Sequence, residues 1–282
     1  MKPLIFPITV CKNEDVWIRP VIEAWLPFAE TMFVQDTGSI DRTMGELADI
    51  VSTYPGKVMI GQYEMGVGES MVERQRLIER IPKEHEYWIV LLDADEVWPE
   101  SQLRAFLARL ENPDVDYVAC RPVAIGCDLK SSYGSHYFEP ENPADLERYT
   151  TTRFCDKWTT RAFRASRLDA VVNPSWGGET FVVKLDTERH EITPDFKEQK
   201  VPPGTINTMF TGRTDWTDIY FCHMTNHTRS SKWAEIQQVP GSNAMDRARW
   251  RTRGSVGNHR LPEGFEIPDS VRTIVTSQGW PF

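Results

Sequence analysis

The first hundred residues alternate between two hydrophobic periods. Residues Leu4 to Val10 cluster apolar side chains as a strand does, and the polar Lys12, Asn13 and Glu14 follow at once. Asp15 and Pro20 punctuate the start of a helix on which Val21, Ile22, Trp25 and Leu26 recur at helical spacing. A short second strand, Thr31 to Val34, runs into VQDTGSIDRT, where Ser39 or Asp41 can cap a helix carrying Leu47, Ile50, Val51 and Tyr54 on one stripe. Lys57 to Tyr63 predicts a third strand, and a loop with Gly66 and Gly68 leads into a helix over Glu69 to Ile81. The fourth strand, Tyr87 to Leu92, is almost continuously apolar and stops at Asp93.

Four strand–helix alternations predict an α/β fold with a mainly parallel sheet, right-handed crossovers and helices on both faces. Ligands in such sheets bind beyond the carboxyl ends of the strands. All four exits are polar: Asn13 and Glu14, then Asp36, then Glu69 near the glycines, then Asp93 and Asp95. Further on, Leu103, Phe106, Leu107 and Leu110 mark a short helix, and Val115 to Arg121 another strand. From about 122 to 228 the pattern changes to short β-like runs (Thr160 to Arg164, Thr180 to Leu185, Ile219 to Cys222) between loops rich in Pro, Gly, Asn and Asp. Residues 229 to 255 regain helical character, and the tail from Pro262 to Phe282 reads as extended. The expected organisation is therefore three segments, 1–121, 122–228 and 229–282.

Composition narrows the classes. With 282 residues the chain can bury a full core, and no stretch is apolar for long enough to span a bilayer. The N-terminal MKPLIFPITVCKNE turns charged too early for a signal peptide, so a cytoplasmic protein is expected. The five cysteines lack any CxxC and read as reduced, mostly buried thiols. A net charge of -9 argues against non-specific coating of nucleic acid. The segment 229–260 is locally basic, however, with Arg229, Lys232, Arg247, Arg249, Arg251, Arg253 and Arg260 against Glu235 and Asp246. It is either a solvated helix face or a surface for an anionic partner such as nucleic acid.

Candidate chemistry concentrates at the end of the fourth strand. Asp93, Asp95 and Glu96 fall within four residues of one another in LLDADE. Packed like charges at the end of a buried strand are costly unless a cation sits among them, and a divalent metal meets that need. An acidic turn capping the next helix is the alternative. Arg74 adds a second hint, since it lies three residues from Met71 and four from Ile78 on the apolar stripe of the third helix. A guanidinium there either snorkels outward or meets a carboxylate or phosphate.

Taken together, Asn13 and Glu14, DTGSIDRT, the ER of the third helix and LLDADE resemble the family 2 glycosyltransferases of the GT-A fold. The resemblance is strong over about residues 5 to 100. It implies a nucleotide-sugar donor, most simply a UDP-sugar, and Mn²⁺ or Mg²⁺. It also implies Asp36 as an acceptor for the nucleotide base, Asp41 as a loop-holding residue, and Arg74 near the diphosphate. Glu73 and Gln75 replace the small residue and asparagine usual beside that arginine. Asp93 is implied near the ribose, Asp95 as the metal ligand, and His223 in YFCHMTNH as a further ligand. A histidine satisfied at a strand end is the bland account of His223.

An inverting transferase also needs a base to deprotonate the acceptor. TTRAFRASRL resembles the family's RLFR-like strand, and the WGGETF that follows makes Glu179 the first candidate, with Trp176 as an aromatic platform and Asp169 and Asp186 as fallbacks. Two other classes remain open: a sugar nucleotidyltransferase, although VCKNEDVW lacks that class's glycine-rich loop, and a non-catalytic carbohydrate-binding protein. Glycans, proteins, small molecules and hydroxymethylated DNA bases all suit the donor half as acceptors. RARWRTRG, with Trp250 among arginines, would suit the phosphate backbone of the last of these, which stands as the minority reading.

Overall fold

The computed structural model describes residues 3–62, 70–81, 86–133, 159–172, 180–185, 188–191, 214–224, 227–232, 236 and 259–278. Four parallel strands form its centre: β1 (Leu4–Cys11), β2 (Met32–Asp36), β3 (Val58–Gln62) and β4 (Tyr87–Asp93), with β1 between β2 and β4 and β3 outermost. Helices α1 (Ile18–Trp25), α2 (Thr43–Thr53) and α3 (Ser70–Arg80) make the crossovers. The alternation expected from the hydrophobic pattern is thus the architecture observed.

Strand β4 reads as a continuous apolar run because both of its faces are covered. Trp88, Val90 and Leu92 point into a core built with Ile18, Ile22 and Trp25 of α1, Leu47 and Ile50 of α2, and Phe106 of the helix α4 (Glu100–Leu110). Tyr87, Ile89 and Leu91 point the other way, against Leu77, Ile78 and Ile81 on and just after α3. Tyr54, placed on the stripe of α2 by its spacing, instead ends that helix as a partly exposed C-cap residue.

Beyond β4 the sheet turns mixed. A two-residue strand β5 (Glu96–Val97) follows directly, then β6 (Tyr117–Ile125), β7 (Ser131–Tyr133), β8 (Thr159–Arg164) and, later, β12 (Thr214–His223). Between these last two, β9 (Leu168–Val172), β10 (Thr180–Leu185) and β11 (Glu188–Glu191) form a separate three-stranded sheet. Strand β8 runs antiparallel between β4 and β6, pairing Val90 with Ala162, so the start of β8 lies beside the end of β4. Strand β12 runs parallel to β6 and antiparallel to β5, pairing His223 with Glu96.

The tail departs from its extended reading. After the two-residue strand β13 (His259–Arg260), Asp269–Ser277 forms helix α5. Val271 and Val275, one turn apart, pack with Trp17, Val21, Val97, Val123 and Met224 in a third core cluster. Pro268 before it and Gly279 after it hide this in the sequence: they leave room for fewer than three turns, too few for the helical period to stand out. Among the described residues no helix is long and apolar enough to cross a membrane, and the described cysteines Cys11, Cys120, Cys127 and Cys222 are free and buried.

Candidate functional site

Register brings the polar exits together. Strand β1 pairs Val10 with Asp93 on one side and Cys11 with Asp36 on the other, so the exits of β1, β2 and β4 end level. Just past β1, Asn13 adopts φ 56°, a left-handed conformation that asparagine tolerates better than most residues. Its Oδ1 accepts from the Ile40 amide at 2.8 Å, and its own amide donates to Ser39 Oγ at 2.8 Å. These bonds tie the DTGS loop to β1. Asp36 is fully buried; its Oδ1 accepts from the Gly38 and Ser39 amides at 3.0 Å each, and its Oδ2 from the Ser39 hydroxyl. Asp41 accepts from the Thr43 amide at 2.9 Å and from Ser230 Oγ at 2.5 Å, so it holds the loop as the resemblance implies.

The three carboxylates of LLDADE have different partners. Asp93, with its side chain 39% exposed, is clamped by two arginines: Arg74 Nη2 on Oδ1 and Arg161 Nη2 on Oδ2 at 3.1 Å. Desolvation opposes its charge, but the Arg161 and Arg74 guanidiniums hold its carboxyl well below the usual range. Arg74 is only 4% exposed, so of the two readings its position allowed, the carboxylate partner is the one realised. Glu96 has no exposed surface and is paired with Arg161, while one of its oxygens accepts from the Asp93 amide at 3.2 Å. Burial pushes the Glu96 carboxyl well up.

Asp95 is the exception. It is 2% exposed, and among the described residues its Oδ2 receives no hydrogen bond of normal length. His223 Nε2 stands 3.5 Å from that oxygen and Arg229 Nε 3.7 Å away. Burial opposes its charge, but Arg229 and then His223 hold the Asp95 carboxyl well below the ordinary carboxylate range. The pairing of β12 with β5 delivers His223 to this place, and the Met224 amide fixes the turn by donating to the Asp95 carbonyl at 2.9 Å. A buried carboxylate oxygen without a normal-length donor among the described residues, facing an imidazole nitrogen, is a donor set that Mn²⁺ or Mg²⁺ would fit if substrate oxygens and water completed the shell. Among the described residues no third His, Cys, Asp or Glu joins them as a ready-made cage.

Arg229 is paired with Glu14 as well as lying beside Asp95. Burial works against its charge, but the Asp95 and Glu14 carboxylates raise its pKa above the ordinary guanidinium value. It therefore belongs to the site and not to a solvated basic face. The short segment 227–232 that carries it is bonded to the loop after β1: Trp17 Nε1 donates to the Thr228 carbonyl at 2.8 Å, and the Ser231 amide to Asp15 Oδ1 at 2.7 Å.

Of the residues the sequence singles out, the structure thus gathers Glu14, Arg74, Asp93, Asp95 and His223 into one set of charge contacts, with Asn13 and Asp36 organising the adjoining loop. Glu69, Glu179, Trp176, Asp186, the side chain of Asp169 and the arginines 247 to 253 lie outside the described residues. Sequence reasoning missed Arg161 and the role of Arg229. The RLFR-like motif was the available signal for Arg161.

The sequence model of Glycosyl transferase family 2 matches residues 8–169, more than half of the chain. The chain belongs to this family. The family 2 match takes in the chain from within β1 through β8, and so Asn13, Glu14, Asp36, Arg74, Asp93, Asp95, Glu96 and Arg161, but neither His223 nor Arg229. Among solved structures, this family 2 chain is similar to S. aureus TarS (19% identity, TM-score 0.41, covering 58% of this chain and 28% of that one). A Pyrobaculum calidifontis mannosyltransferase in complex with GDP-Man and Mn²⁺ is similar at 18% identity and TM-score 0.38, covering 58% and 45%. Glucosyl-3-phosphoglycerate synthase from Mycobacterium tuberculosis, in complex with Mn²⁺, UDP and glucosyl-3-phosphoglycerate, is similar at 17% and 0.33, covering 43% and 44%. The chain thus spans less than half the length of these three structures. No curated protein sequence matches it.

Proposed function

We propose that the protein is a metal-dependent, inverting glycosyltransferase that moves a sugar from a nucleotide sugar, first of all a UDP-sugar, to a hydroxyl acceptor. One observation carries this reading: the buried Oδ2 of Asp95, which among the described residues receives no hydrogen bond of normal length, faces His223 Nε2 at the level carboxyl ends of the parallel strands. Asp95 and His223 would hold a divalent cation, which would supply positive charge where a nucleoside diphosphate leaves. Asn13, Glu14 and the Asp36 loop form the nucleotide side, and Asp93, fixed by its two arginines, addresses the ribose. Arg74, already spent partly on Asp93, lends its positive field to the diphosphate region. Asp36 accepts from a base when the Ser39 hydroxyl releases it. Glu179 is proposed as the base that takes the acceptor's proton, on the family resemblance alone.

Family membership and the bonded DTGS loop support this reading over a nucleotidyltransferase. A non-catalytic role is separated by turnover. The test is a donor hydrolysis and transfer screen across nucleotide sugars with Mn²⁺ and Mg²⁺. Glycans and hydroxymethylated DNA serve as acceptors, the latter because of Trp250 among the arginines of RARWRTRG. Cation-stimulated turnover is expected, with Asp95→Ala reducing it on the order of a hundredfold or more. Near-normal turnover in Asp95→Ala overturns the proposal.

A further inference from the structure

The acidic run at the end of β4 poses a problem that a metal alone does not solve. Three carboxylates lie within four residues, and two of them, Asp95 and Glu96, are buried. If all three faced one cation, nothing would separate the ligand from its neighbours. Arg161 makes that separation. It lies on β8, is 6% exposed, and turns one nitrogen, Nη2, to both Asp93 Oδ2 and Glu96 Oε1. Its guanidinium lies over the Phe221 ring, 5.2 Å from the centroid, and Phe221 is two residues from His223 on β12. One side chain thus touches the end of β4, the strand β5 and the strand that carries His223.

We infer that Arg161 is a positioning residue that ties up Glu96 and orients Asp93 against Arg74, so that Asp95 alone of the three carboxylates addresses the cation while Asp93 is presented to the donor. This rests on the donor and metal reading given above. Its geometry is independent of that reading: Arg74 holds one oxygen of Asp93 and Arg161 the other, so loss of Arg161 leaves a carboxylate fixed at one end only. Glu96 is a silent partner. It holds Arg161 in place but offers the cation nothing.

The test uses the full chain and three variants: Glu96→Gln, Arg161→Met and the double variant. Removing Arg161 alone strands a buried glutamate and is expected to impair folding; removing both members of a buried pair avoids that penalty. The double variant is therefore the informative one. Mn²⁺ binding is read from the electron paramagnetic resonance of free Mn²⁺, donor binding by calorimetry with UDP-glucose and UDP-N-acetylglucosamine, and folding by thermal melting. Glu96→Gln should bind Mn²⁺ as the native chain does. The double variant should melt within a few degrees of Glu96→Gln, bind Mn²⁺ with unchanged Kd, and bind the donor about tenfold more weakly. A donor Kd equal to that of the native chain, or a loss of Mn²⁺ affinity in Glu96→Gln, overturns the role of Arg161. Absence of any Mn²⁺-dependent donor binding by the native chain overturns the underlying functional reading, and this inference with it.

Discussion

At the scale of single residues, the candidate site is a problem in neutralising buried charge, and His227 shows the reverse solution. Its ring is buried between Trp17 and Cys127, and Nε2 lies 3.0 Å from the Ile125 carbonyl, which accepts its proton. Burial lowers its pKa to about 4 from an ordinary 6.5, only partly offset by that bond. The folded state thus keeps the ring neutral where the unfolded chain would protonate it. Stability is complete above about pH 6.5 and falls as the pH drops toward 4, by about 3 kcal/mol for a shift of this size. His227→Gln, which can still donate to Ile125, should flatten the pH dependence of the melting temperature across that window. An unchanged slope between pH 4 and 6.5 would refute the assignment. Asp93 and Asp95, with depressed folded pKa values, lose their contribution only at more acid pH, so the two effects separate. Asp95 and Arg74 were legible in the sequence because each broke a local pattern, a carboxylate at the end of an apolar run and a cation on an apolar stripe. Arg161 and Arg229 broke none: their partners sit on distant segments, 65 residues away for the Arg161 pair with Glu96.

At the scale of elements, the parallel half was legible because β1, β2 and β4 are covered on both faces and their helices carry long amphipathic stripes. The pairing that brings His223 beside Asp95 was not. Strand β5 has two residues, and nothing local says that β12 returns to pair His223 with Glu96. Helix α5 was missed for the related reason that its apolar face is two valines wide. Those valines nonetheless close the core beneath the site, since Val271 and Val275 share a cluster with Trp17, Val97 and Met224. Val271→Ala removes two buried methyl groups and should cost about 2 kcal/mol in urea unfolding, with an unchanged denaturant slope. A cost within about 0.5 kcal/mol would mean that α5 is not part of the cooperative core.

At the scale of the whole molecule, Arg229 ties a late segment of the chain to the exit of its first strand. Arg229 is paired with Glu14 and lies 3.7 Å from Asp95, while its neighbours Ser230 and Ser231 bond Asp41 and Asp15. The charge on Arg229 balances the acidic exits of β1 and β4 in a chain whose net charge is -9. On the proposed function a metal at Asp95 would compete for the same negative charge, so stability and metal binding would be linked through this residue. Removing one member of a buried pair leaves the other uncompensated, and Arg229→Gln should therefore destabilise the metal-free protein by about 3 kcal/mol. The same change removes a positive charge from beside Asp95, worth a few kcal/mol at about 4 Å and an intermediate dielectric before relaxation. Mn²⁺ should then bind the variant more tightly than the native chain and raise its melting temperature by more, as linkage requires. Melting curves with and without Mn²⁺ measure both effects. If the variant binds Mn²⁺ more weakly, Arg229 serves to shape Asp95 for the metal and not to balance its charge.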